Sequence, residues 1–230
     1  MLRVEDIHTY YGDSYILQGI SMKVGEAAVI GLLGRNGMGK TTFIRSVVGA
    51  TRPKRGSIFF REEEITQKRP FEISRMGISL VPQGRQIFPS LNVTENLTVV
   101  AREISGGWTL EKIFEFFPPL KQRARHPGNR LSGGEQQMLA IGRSLMTNPS
   151  LLLMDEPTEG LSPLFVQTVG QIIRRLQQGG IAILLVEQNL RFAVQHANHI
   201  HILSRGQIVH SSSPDDLDQN QEIKRRYLGV

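Results

Sequence analysis

Residues 34–42 read GRNGMGKTT. The run just before them, Ala27–Leu33, is apolar throughout, as expected of a strand covered on both faces. The residues just after, from Lys40 to about Val48, predict a helix that Gly49 stops. Strand, glycine-rich turn and helix are together the context that G-x-x-x-x-G-K-[ST] needs to hold phosphate. Gly34, Gly37 and Gly39 let the backbone wrap so that its N–H groups face the phosphates, and Asn36 is counted with them among the binding residues. Lys40 supplies a point charge for the β- and γ-phosphates. Thr41 offers a hydroxyl to Mg²⁺, Thr42 follows it, and the helix N-terminus adds partial positive charge.

A second apolar run, LLLMDEP at 151–157, delivers Asp155 and Glu156 at the C-terminal end of a predicted strand, where ligands of α/β sheets sit. Asp155 suits the shell of Mg²⁺, and Glu156 suits polarisation of an attacking water. An acidic pair at a strand end is common by itself. Combined with the loop at 34–42, it predicts a domain that hydrolyses a nucleotide.

Between and around these runs the chain alternates. Strands are predicted at Leu2–His8, Ser21–Val24, Ser57–Phe60 and Ile181–Val186, and a last strand pair within 200–209 turns at Arg205-Gly206. Helices are predicted from Glu135 to Met146 and from Ser162 to Gln178, the latter with Ser162 as N-cap, Pro163 in the first turn and Gly179-Gly180 as the stop. Residues 84–130 differ. Short helical patterns at 94–102 and 109–117 are broken by Gly106-Gly107 and Pro118-Pro119. The expectation is an α/β fold of one domain, residues 1–230. Its nucleotide-binding core is 1–83 and 131–230, with a mostly parallel sheet and antiparallel strands at the N-terminus, and 84–130 forms an inserted helical subdomain.

The helix at 135 is preceded by LSGGEQ, residues 131–136. Ser132 and Glu135 make a capping box, and Met138, Ile141 and Leu145 form one apolar face. Gly133 and Gly134 are poor helix formers. They make sense where an anion must approach bare N–H groups, and a γ-phosphate held by another subunit qualifies.

In this set of motifs the chain resembles the ATP-binding subunits of ABC transporters over nearly its whole length. GRNGMGKTT resembles Walker A, LLLMDEP resembles Walker B and LSGGEQ the signature, with glutamate where the family more often has glutamine. Gln83 in SLVPQG resembles the Q-loop residue that contacts Mg²⁺, GLSP at 160–163 sits at the D-loop, and Tyr11 before Gly12 resembles the aromatic that stacks on adenine. The resemblance implies ATP and Mg²⁺ as ligands, with Ser132, Gly133 and Gly134 completing the site of a second ATPase subunit in a head-to-tail dimer. It also implies two membrane-spanning permease subunits, indirect cooperation with an external solute-binding protein, and a peripheral place on the cytoplasmic face of the plasma membrane. Segment 85–96, with Phe88 and Pro89 near its middle, is a candidate for docking the permeases.

ILLVEQNL, residues 183–190, departs from the family pattern. Family members usually carry histidine at the position of Gln188, where it touches the γ-phosphate and the attacking water. The strand is expected to point Glu187, Gln188 and Asn189 at that place. Glutamine donates a hydrogen bond to phosphate but never becomes cationic. Gln188 is therefore read as a catalytic group that orients, with Glu156 as the base. VEQN, PTEGLSP, GRQIFPSLNVTENL and the C-terminal YLG together resemble the shorter ATPase subunit of branched-chain amino acid importers. Urea and short-amide importers are very similar.

Bulk properties fit this reading. The chain has 230 residues, 40% hydrophobic and 21% charged, and no cysteine, which removes disulfide frameworks, cysteine zinc sites and thiol nucleophiles. No apolar run approaches the roughly 18 residues of a spanning helix, and the N-terminus has no signal core, so the sequence predicts a chain kept inside the cell. The net charge of +6 favours anionic partners, but the basic residues are dispersed, and no nucleic-acid partner is expected. A non-transport ABC ATPase acting on nucleic acid or ribosomes stays as an alternative, although such chains usually carry two cassettes or a long insertion. A P-loop kinase or GTPase lacks LSGG at a helix start. A purely regulatory ATP-binding subunit is a further alternative, set against an intact Lys40, Asp155 and Glu156.

Overall fold

The computed structural model describes residues 1–229. In chain order the elements are β1 (Leu2–Tyr11), β2 (Ser14–Val24), β3 (Val29–Leu33), α1 (Lys40–Val47), β4 (Arg55–Phe60), β5 (Glu63–Glu64), α2 (Pro70–Arg75) and β6 (Ile78–Val81). There follow α3 (Val93–Thr98), α4 (Leu110–Phe116), α5 (Pro118–Gln122), α6 (Gly133–Leu145), β7 (Leu151–Asp155), α7 (Pro163–Gln178), β8 (Ala182–Glu187), α8 (Leu190–His196), β9 (His199–Ser204) and β10 (Gln207–Ser212). Two short helices, α9 (Pro214–Gln219) and α10 (Gln221–Ile223), lead into a π-helical turn at Lys224–Leu228.

Two sheets form. The larger has order β10-β9-β3-β8-β7-β6, parallel except for the β9–β10 hairpin; the smaller, β2-β1-β4-β5, is antiparallel. The alternation of side chains along a strand explains the unbroken apolar runs. Ala182, Leu184 and Val186 of β8 and Leu151 and Leu153 of β7 pack with α1 and the antiparallel sheet. Their neighbours Ile183, Leu185, Leu152 and Met154 pack on the other face with α6 and α7. Both faces are covered, so neither register position tolerates a polar residue until the strands end at Asp155 and Glu187.

The buried side chains of 84–130, among them Val93, Leu97, Ile113, Phe117 and Leu120, join the same cluster as Met138, Leu139, Ile141 and Leu145 of α6. This segment therefore packs onto α6. The helix break expected at Pro118-Pro119 lies at Phe117, and the prolines open α5. Proline has no N–H to lose in a first turn, and its fixed φ suits that position. The strands at the N-terminus are longer than expected because their edges include polar residues such as Thr9 and Gln18 that pair across β1 and β2. The helix expected at 94–102 ends at Thr98, since Arg102 N–H is drawn to Met146 O at 2.9 Å. Among the described residues no helix is long and apolar enough to cross a membrane.

Candidate active site

The C-terminal ends of β3, β7 and β8 lie side by side, with Leu33 in register with Glu187 and Asp155 with Val186. Everything that follows is built on this edge. After Leu33 the chain turns through Gly37 (φ +78°) and Gly39 (φ +108°) into α1. Gly39 is the N-cap and offers no side-chain cap, so the first N–H groups of α1 are left for a ligand. Gly34 serves another purpose than expected. A Cβ there would stand 2.6 Å from Leu203 O, so it allows the loop to lie against β9. Met38 O accepts Gly206 N–H at 3.0 Å and the Met38 sulfur accepts Arg205 N–H at 3.3 Å, which pins the loop to the β9–β10 turn.

Asn36, Gly37, Gly39, Lys40, Thr41 and Thr42 line one cavity of about 370 Å³, and Gln83 and Glu156 line it too. Lys40 is buried, and its ammonium donates to Gly34 O (2.7 Å) and Arg35 O (3.1 Å) and stands 3.0 Å from Glu156 Oε1. The other oxygen of Glu156 accepts from Gln83 Nε2 at 3.3 Å, and the same amide reaches Glu159 Oε2 at 3.1 Å. Glu156 has a left-handed backbone (φ +49°), held by its N–H on Val186 O at 2.8 Å. Strain of this kind costs about 1–3 kcal/mol and persists where surrounding structure fixes it.

Asp155, the neighbour of Glu156, is almost fully buried, and its Oδ1 has no hydrogen-bond partner. Burial, with the nearby Glu156 and Glu159 charges, pushes its carboxyl up to about 6, while the Thr41 hydroxyl and Lys40 pull the other way. An under-compensated buried carboxylate beside a hydroxyl is the hard-oxygen donor set that Mg²⁺ takes, so Asp155, Thr41 and Gln83 fit that ion.

The remaining expected residues stand elsewhere. Tyr11 is exposed at the β1–β2 turn, opposite Ser14, outside the residues that line the cavity. Ser132, Gly133 and Gly134 open α6 and are not among the residues that line that cavity. Ser132 Oγ accepts Glu135 N–H at 3.3 Å and Glu135 Oε2 accepts Ser132 N–H at 2.8 Å. Gly134 has a reason the sequence did not give, because a Cβ would lie 2.1 Å from the Phe165 ring. At Gly133 the nearest group would be the Arg85 guanidinium, at 3.1 Å.

Glu187, Gln188 and Asn189 do not point together. Asn189 caps α8, accepting Phe192 N–H at 3.1 Å. Glu187 is buried against Thr158. Gln188 is exposed and lines a different cavity of about 720 Å³, between α8 and the C-terminal helices. That cavity is the larger, but it contains none of the phosphate-loop residues, so chemistry and not volume marks the site. Ile16, which also lines the smaller cavity, and Glu159 were not singled out from sequence. Ile16 falls between the strands expected at Leu2–His8 and Ser21–Val24, whereas β2 starts at Ser14; Glu159 in PTEG carries a legible acidic signal.

The ABC transporter family model matches residues 17–159. The high-affinity branched-chain amino acid transport ATP-binding protein BraG of Pseudomonas aeruginosa is 37% identical over the full length of both chains. The lipopolysaccharide export system ATP-binding protein LptB of Acidithiobacillus ferridurans is 30% identical over all of this chain and 97% of its own. Among solved structures, a nucleotide-free ATP-binding cassette from an ABC transporter superposes with a TM-score of 0.87 at 28% identity, covering 97% of this chain and 96% of that one.

Proposed function

This chain belongs to the ABC transporter family as one of its ATPases, and on that premise we propose that it energises an importer of branched-chain amino acids. The observation that carries the reading is the end-to-end 37% identity to BraG, supported by VEQN, PTEGLSP and the C-terminal YLG. Import of urea or short amides fits the same motifs. Lipopolysaccharide export is a second reading, favoured by the end-to-end 30% identity to LptB.

The proposed mechanism follows from the site. Two ATPase chains meet head to tail, each closing its Ser132–Gly134 helix start over the phosphate loop of the other. Thr41, Asp155 and Gln83 would hold Mg²⁺, which would supply charge neutralisation at the phosphates. A phosphate arriving at Lys40 competes with Glu156 for the ammonium, since Lys40 already uses donors on Gly34 O and Arg35 O. Glu156, still held by Gln83, is thereby freed to take a proton from water. Gln188 lines a separate cavity in the single chain; only in the closed dimer would it orient, and its amide carries no titrating proton. Tyr11 offers an exposed ring for the adenine.

Closure moves residues 84–130 against the core and, with them, the permeases docked at the cytoplasmic membrane face. The loop at 85–92 suits transmission because it is stiff. Buried Asn96 accepts Phe88 N–H at 2.9 Å, and its Nδ2, with two hydrogens to share, lies 3.0 Å from each of Phe88 O, Leu91 O and Asn92 O. Arg143 donates to Gln86 O at 2.7 Å and covers the Phe88 ring. Phe88 itself remains 44% exposed, as a docking side chain must.

The test is uptake of labelled leucine by cells whose only copy carries Glu156→Gln, in a background without other leucine importers. The reading expects uptake to be lost at normal protein level, with lipopolysaccharide delivery intact. Intact uptake with defective lipopolysaccharide delivery would replace it with the export reading.

A further inference from the structure

The buried carboxylate of Glu187 is used by neither the phosphate cavity nor the apolar core. It is 2% exposed at the end of β8. Oε1 accepts the Thr158 N–H at 3.1 Å and the Thr158 hydroxyl at 2.7 Å. Oε2 accepts the Gln188 N–H at 3.1 Å and the Asn189 N–H at 3.2 Å. One oxygen serves the loop that follows Glu156, and the other serves the loop that carries Gln188. All the bonds are local to these two loops, and every one has Glu187 as the acceptor.

We propose that Glu187 is a positioning residue for ATP hydrolysis, which fixes the backbone of the Glu156 loop relative to that of the Gln188 loop. Burying a carboxylate is costly unless it is fully hydrogen-bonded. Here the two oxygens are saturated by donors from two separate segments, so the ionised form is held only while both loops keep their places. Motion of either loop would strand a buried charge, which makes the pair move as one body. Glutamine is isosteric but presents NH₂ on one side. In Glu187→Gln, one of the two loops therefore loses its acceptor and meets a donor instead, whichever way the amide is turned. A misplacement of this order next to reacting groups costs rate without touching the phosphate contacts.

The inference rests on the reading that Glu156 is the base for ATP hydrolysis. The full-length chain and its Glu187→Gln, Thr158→Val, Thr158→Ser and Glu156→Gln variants are compared by steady-state ATP hydrolysis and by affinity for a fluorescent ATP analogue. Glu187→Gln is expected to lower kcat by about tenfold or more, with KM and analogue affinity within about twofold of the parent. Thr158→Val, which deletes the 2.7 Å bond, is expected to lower kcat in the same direction. Thr158→Ser, which keeps the hydroxyl, is expected to restore it. A folded Glu187→Gln with parental kcat overturns the proposal, and so does a Thr158→Ser no better than Thr158→Val. If Glu187→Gln does not fold, the two Thr158 variants decide. Parental hydrolysis by Glu156→Gln would remove the premise itself. A dead Glu156→Gln beside a fully active Glu187→Gln would remove only the role of Glu187.

Discussion

Lys40 Nζ stands 3.0 Å from Glu156 Oε1, with the two side chains only 4% and 10% exposed. The residue proposed to meet phosphate and the residue proposed to meet water are thus one another's counter-ions. In the proposed mechanism nucleotide binding and release of the base are linked by this exchange, with Gln83 as the second partner of Glu156.

The pair makes a stability prediction. Removing one partner of a buried ion pair leaves the other uncompensated and costs about 3–5 kcal/mol, whereas removing both charges is far milder. Lys40→Met is expected to fall toward that range in urea unfolding, and Lys40→Met with Glu156→Gln is expected to recover much of the loss. Additive losses in the double variant would show that the two charges are not coupled. Lys40→Met alone is also expected to lose ATP affinity.

Gly134 and Phe165 supply a packing prediction. With a Cβ 2.1 Å from the ring, Gly134→Ala overpacks the α6–α7 contact, at a cost of about 1–3 kcal/mol. Phe165→Leu in the same chain is expected to relieve part of it. Thermal unfolding of the two single variants and the double variant measures the coupling. A neutral Gly134→Ala would mean that glycine is kept there for ligand approach alone.

The contrast between these two sites shows what a sequence discloses. GRNGMGKTT and LLLMDEP were legible because the phosphate loop and the acidic strand end are local patterns, each set by a strand and a following turn. The apolar runs of β7 and β8 were legible for the same reason, since both faces are buried along their whole length. Gly34 and Gly134 were recognised as special for an incomplete reason, because their tight neighbours, Leu203 and Phe165, are distant in sequence. The short β6 and α8 were missed. β6 has only four residues and relies on β7 for its pairing, and α8 starts from Asn189, which reads as part of the strand end until its side chain is seen capping Phe192 N–H. Glu187 was misread because nothing local says that its carboxylate turns back to Thr158.

His196 supplies a pH prediction. Burial, helped by the Arg174 charge, lowers its imidazole to about 4. It packs on Phe192, 4.5 Å between ring centroids, and its Nδ1 has no partner. The folded chain resists protonating a group that the unfolded chain protonates near 6.5. The unfolded state therefore binds more protons below pH 6.5, and stability falls as pH drops from 6.5 toward 4. His201, also lowered to about 4 by burial and by the neighbouring His199, adds to the same slope. His196→Leu is expected to flatten the fall between pH 6.5 and 4 in denaturant unfolding; an unchanged slope would assign it to other groups.

The most direct measurement is ATP turnover by Glu156→Gln beside its affinity for Mg²⁺-ATP. The account predicts that the variant binds nucleotide at least as well as the parent, since Lys40 no longer has a competing carboxylate, while kcat falls by about a hundredfold or more, as general-base loss allows. Turnover within a few-fold of the parent would contradict the assignment of Glu156 as the base, and with it the exchange at Lys40 on which the mechanism turns.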